Sequence, residues 1–201
     1  MPNYKDLSSG ELQRLASQGD RDAYYWLGKY YSDRGDNQNA AIWWEKAVKE
    51  LPSNHKCFNQ AATHLAFLHC SARIPQANDN EAIRLFELAP SLGPLSKLFL
   101  GVLYCNVQGQ KNNPSKGIGL VEDAITQFIK EDGNDEYLNY NMCFQIAGIY
   151  NKEMGRNATA ENVRKAMDYF KKTITRGPGS QEAEVAKKCI ENLKRISIED
   201  L

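Results

Sequence analysis

No charge of one sign dominates this chain. Its 25 Lys and Arg residues are matched by 25 Asp and Glu, for a formal net charge of zero. A phosphate backbone demands a basic surplus, so the balance argues against a nucleic-acid partner. It gives equally little reason to expect an anionic membrane as the target. No apolar run approaches the ~20 residues that a bilayer-spanning helix needs. The opening MPNYKDLSSGELQRL carries no apolar stretch of signal-peptide type, so a cytoplasmic location is expected.

Cysteine is present without a pattern. Cys57, Cys70, Cys105, Cys143 and Cys189 are odd in number and irregular in spacing, and no CxxC occurs. A disulfide framework wants an even, clustered set in a small secreted chain, so free, largely buried thiols are expected. Catalytic signatures are missing too: there is no GxSxG, HExxH, P-loop or GxGxxG. Gly117-x-Gly119 falls inside a predicted helix with no strand before it, which excludes a phosphate loop. Residues 157–159, NAT, form a glycosylation acceptor only in a secreted protein. His55, His64 and His69 lie near Cys57 and Cys70, but His64 and Cys57 are seven residues apart on one predicted helix, beyond the reach of a shared ion. No catalytic residue, cofactor or metal is therefore expected.

What the chain does have is helical periodicity with regular punctuation. Turn signals recur every 15–25 residues. Gly19-Asp20 reads as a helix-closing glycine followed by an N-cap aspartate, and Gly35-Asp36-Asn37 reads the same way. Pro52, Pro94 and Pro178 each follow a helical run and are read as stops. All three tryptophans and four of the ten tyrosines fall within AYYWLGKYY (23–31) and AIWWEKAV (41–48). Aromatic residues at helical spacing usually bury, so this cluster reads as core, with Tyr25 excepted because it points to the other side of its helix.

The helices also repeat. Leu27-Gly28 and Tyr31 precede Ala40, Trp44 and Ala47; Leu65-Ala66 and His69 precede Ala82, Phe86 and Ala89. Leu100-Gly101 and Tyr104 precede Gly117, Val121 and Ala124; Ile146-Ala147 and Tyr150 precede Ala166, Phe170 and Thr173. In every second helix the steps are four residues and then three. Small residues at Gly28, Ala66, Gly101 and Ala147, facing Ala40, Ala82, Gly117 and Ala166, allow two helices to approach closely. The large residues Trp44, Phe86, Val121 and Phe170 then fill the space between hairpins. One hairpin cannot bury its apolar face alone, so stacking makes the core.

These residues resemble the tetratricopeptide repeat, and more closely its relative the Sel1-like repeat. GDRDAYYWLGKYY (19–31) is similar to the Sel1-type opening G-D-x-x-A-x-x-x-L-G-x-x-Y, and NAAIWWEKAV (39–48) to its second helix, with Asn39 replacing a lysine. The resemblance covers about residues 10–178; later units depart from the pattern in their loops. It implies an all-α, right-handed α-α superhelix of about four hairpins. As one domain over 1–201, the chain divides into an N-terminal cap helix (1–19), repeats at 20–52, 53–93, 94–134 and 135–178, and a closing cap helix (179–201). Ser180 caps that last helix, whose apolar stripe is Ala183, Val185, Ala186, Ile190 and Leu193.

The resemblance further implies a non-enzymatic protein-interaction scaffold, with the first helix of each hairpin lining a concave face. A structural homo-oligomer and a regulatory subunit of an enzyme are the alternatives. Counting two before, two after and five after each unit's leucine position, the face comprises Tyr25, Lys29 and Ser32, then Thr63, Phe67 and Cys70. It continues with Leu98, Val102 and Cys105, and ends with Phe144, Gly148 and Asn151. Its middle is apolar and it carries no cluster of Lys, Arg and Asn to clamp a carboxylate. The expected partner is an unidentified protein or peptide with an apolar segment. Either this face is open, or curvature and long loops fill it and its residues are core.

Overall fold

The computed structural model describes residues 3–89, 91–132, 136, 138–154 and 159–195. Among these residues the chain is all-helical. A 3-10 turn, Tyr4–Asp6, precedes α1 (Ser9–Ser17), α2 (Asp22–Ser32), α3 (Asn37–Glu50), α4 (Lys56–Cys70) and α5 (Asp79–Leu88). There follow α6 (Pro94–Asn106), α7 (Pro114–Asp132), α8 (Tyr140–Met154), α9 (Ala160–Arg176) and α10 (Gln181–Leu193), with a second 3-10 turn at Gly109–Lys111. Two compact units, 1–103 and 104–201, divide within α6. The acceptor sequence at 157–159 begins outside the described residues; its Thr159 caps α9 by accepting from the Asn162 N–H.

Local chemistry starts and stops these helices. Ser8 and Glu11 form a reciprocal capping box at α1, with the Glu11 carboxylate accepting from the Ser8 N–H at 2.8 Å. Asp36 caps α3 and Ser180 caps α10, as their sequence contexts predict. Gly19 (φ 90°) and Gly35 (φ 78°) take the left-handed conformation that closes α1 and α2. Two expectations need correction. Asp20 is not the N-cap of α2, because Arg21 holds that position; Asp20 sits one residue earlier and still accepts from the Asp22 N–H at 3.1 Å. Pro94 is not a stop: α5 ends at Leu88 and Pro94 is the first residue of α6, where a missing N–H costs nothing.

In the first unit α2 packs on α3 and α4 on α5, while α3 against α4 joins the two hairpins and α1 covers α2. In the second unit α8 packs on α9 and α10 covers both. Trp44, Phe86, Val121 and Phe170 are buried, and so are the small residues Gly28, Ala40, Ala66, Ala82, Gly101, Gly117, Ala147 and Ala166. The closest approach is at Gly28. A Cβ there would lie 2.3 Å from Trp44 Nε1, and that indole N–H donates to the Tyr25 carbonyl at 3.2 Å. His69 occupies the tyrosine position of its unit and is buried as expected, but its Nδ1 has no hydrogen-bond partner. None of the five cysteines is in a disulfide. On the closing helix Ala183, Ala186, Ile190 and Leu193 are buried, whereas Val185 is 39% exposed and lies off the stripe.

Candidate interaction groove

The N-terminal segment folds back over α2. Tyr4 is held by its hydroxyl, which donates to Asp20 Oδ2 at 2.7 Å, and by stacking on Trp26 with ring centroids 6.0 Å apart. Burial and the Asp20 carboxylate together push its phenol pKa well above the ordinary value. The fold-back encloses a groove of about 800 Å³ within the first unit. Its aromatic walls are Tyr4, Tyr25, Trp26 and Tyr30, and Gln60 of α4 closes one side. Tyr25 meets Trp26 edge-on at 5.2 Å. Arg34 lies 3.5 Å over the Tyr30 ring, and Lys29 pairs with Asp33 one turn along.

The charges around the groove balance: Lys5, Lys29 and Arg34 against Asp6, Glu11 and Asp33. Such a lining offers flat aromatic faces and both signs of charge, without a cationic clamp. It suits a peptide with an apolar anchor flanked by polar groups better than a free carboxylate.

The residues expected on the concave face fare differently. Lys29 lies in this groove half-exposed, while Tyr25 is only 4% exposed and contributes an edge. That corrects the expectation that Tyr25 is free: it packs against Trp26 and stacks on His64 of α4 at 6.1 Å, and burial pushes its phenol up to about 12. Ser32 and Thr63 are half-buried. Phe67 is half-buried and meets Phe86 and Phe99 edge-on, each at 5.2 Å, while Leu98 is 2% exposed and serves as core. Val102 is half-buried. In the second unit Phe144 is half-buried, 6.0 Å from Phe170, and Asn151 is exposed. Phe144 and Gly148 also line a smaller groove of about 340 Å³ there.

Two polar clusters escape sequence reasoning because their members are far apart in the chain. In the second unit Lys165 bridges Glu122 and Glu161, each at 2.8 Å, and Tyr150 donates to Glu122 at 3.2 Å. Burial and the Glu122 carboxylate raise the Tyr150 phenol far from neutrality, the wrong direction for acid–base work. In the first unit Asp22, His55 and Cys57 bring a carboxylate oxygen, a ring nitrogen and a sulfur within 4.8 Å of one another. Burial and Asp22 push the Cys57 thiol up to about 11, which argues against a nucleophile. Among the described residues no helix is long and apolar enough to cross a membrane.

No family model and no curated protein matches the chain. Among solved structures it is similar to a protein from Klebsiella pneumoniae subsp. pneumoniae, provisionally described as a sel1 repeat protein. Identity is 16%, over 94% of this chain and 100% of that one, with a TM-score of 0.45.

Proposed function

We propose that this chain is a non-enzymatic interaction module that binds a short peptide segment of a partner protein in the groove between the N-terminal fold-back and α2. One observation carries the reading: the groove of about 800 Å³ is walled by four aromatic side chains and rimmed by balanced charge, including Lys29 of the expected face. Aromatic walls give contact area at small entropic cost, and the charged rim gives orientation. The face expected further along α4 and α6 is a weaker site, because Leu98 is buried and Phe67 is half-buried against Phe86 and Phe99. The bound segment is an extended or helical stretch with an aromatic or aliphatic anchor against Trp26 and Tyr30.

Selection from a random peptide display library against the folded chain tests this. The expected binders share an apolar anchor. Their affinity falls at least about tenfold, the scale of one interface hot-spot residue, in Trp26→Ala and in Lys29→Glu while the far-UV circular dichroism is unchanged. Peptides that bind both variants as well as the parent chain would put the site elsewhere and overturn the proposal.

A further inference from the structure

Asp22 stands in the first turn of α2, and His55 is the N-cap of α4, where its Nδ1 accepts from the Cys57 N–H at 3.2 Å. The two helices pack together, which sets the His55 Nε2 3.4 Å from Asp22 Oδ1 and brings the Cys57 thiol beside both. All three donor atoms lie within 4.8 Å of one another. Metal–ligand bonds of ~2.0–2.3 Å in a tetrahedron put ligand atoms roughly 3.3–3.8 Å apart, so closing the set needs movement on the order of 1 Å. We propose that Asp22, His55 and Cys57 form a zinc site that ties α2 to the start of α4, with a fourth position open to water.

The donor chemistry selects the ion. One sulfur, one imidazole nitrogen and one carboxylate oxygen suit Zn²⁺, whereas Mg²⁺ and Ca²⁺ want oxygen shells of six or more. Cys57 is buried, while the Asp22 and His55 side chains are about a third exposed (34% and 37%), so the set has a closed side and an open one. The protons balance simply. Because Nδ1 accepts from Cys57 N–H, the imidazole proton sits on Nε2; on metal binding at Nε2 it moves to Nδ1, at the expense of that cap bond. The thiol proton leaves to solvent, and the thiolate supplies the third ligand.

Cobalt(II) titration of the full chain, kept reduced with a phosphine, tests the site. The expected result is a thiolate-to-cobalt charge-transfer absorption that saturates at one ion per chain and is displaced by Zn²⁺. The band disappears in Cys57→Ser, weakens in His55→Asn, whose amide keeps the helix cap without the ring nitrogen, and persists in Cys70→Ser and Cys189→Ser. Zinc also raises the melting temperature of the parent chain but not of Cys57→Ser. Absence of the band overturns the proposal, and so does a band that survives Cys57→Ser. Should that variant fail to fold, a band unchanged in His55→Asn overturns it instead.

Discussion

Replacing Gly28 with alanine should destabilise the first unit, against the usual sign of that substitution in a helix. In an exposed helix interior Gly→Ala is worth about 1 kcal/mol in favour of alanine. At Gly28 the added Cβ would stand 2.3 Å from Trp44 Nε1 and 2.4 Å from Cδ1. Carbon contacts settle near 3.5–4.0 Å, so the indole must withdraw by about 1 Å. Trp44 is 2% exposed and cannot swing into solvent. Overpacking of this kind costs ~1–3 kcal/mol. Withdrawal also breaks the indole hydrogen bond to the Tyr25 carbonyl, and an orphaned buried N–H costs a further ~1–3 kcal/mol. Set against the propensity gain, the net loss is about 1–5 kcal/mol. Gly148, in the middle of α8, is the control: nothing lies within 4 Å of the place an added Cβ would take, so Gly148→Ala should stabilise by ~0.5–1 kcal/mol.

Urea unfolding measures both. Trp26, Trp43 and Trp44 all lie in the first unit, so tryptophan fluorescence reads that unit selectively, while far-UV circular dichroism reads the whole chain. The expected shift for Gly28→Ala is a fluorescence midpoint lower by roughly 0.5–2.5 M at a slope of ~2 kcal/mol/M, with little change in slope. A Gly28→Ala chain as stable as the parent, or more so, would refute the close helix approach and the repeat register with it.

Trp44→Ala should cost ~3–5 kcal/mol, because it empties a site packed between hairpins and stacked on His64 at 5.0 Å. Against a total stability of ~5–15 kcal/mol that is a large share, and a loss below ~1 kcal/mol in chemical unfolding would contradict the burial. His64 gives an acid signature. Burial, with Lys29 nearby, lowers its pKa below the ordinary 6.5, so the unfolded chain takes up the proton first. Its contribution is fully present above pH ~6.5 and is lost as the pH falls toward the lowered value. The unfolding midpoint should therefore decline between about pH 7 and 5.5 more steeply in the parent than in His64→Gln; equal slopes would show that His64 titrates freely.

The repeat was legible because its constraints are local and steric. A small residue at Ala40 four before the large Trp44, with the same offset recurring at Ala82 and Phe86 and at Ala166 and Phe170, is a packing rule written directly into spacing, and Gly28 set close against Trp44 is its counterpart on the other helix. Caps at Asp36 and Ser180 were legible for the same reason, since each acts within three residues of itself. Tyr25 was not. Periodicity places it away from the helix stripe that meets α3, which implies exposure only when a helix has one neighbour. In a stacked array α2 also touches α4, the equivalent helix of the next hairpin, and Tyr25 falls on that second contact, against His64. Leu98 is buried at the same repeat position of α6, two residues before the leucine, and Phe67 of α4 meets the neighbouring Phe99. At the corresponding positions of α4 and α8, Thr63 and Phe144 are half-buried, so this position is fully covered only at Tyr25 and Leu98. Beside α2 the remaining space is bounded by the fold-back carrying Tyr4 and by Gln60 of α4. That is why the groove lies there, and why Asp22 and His55, 33 residues apart in the sequence, become neighbours only once α4 has stacked.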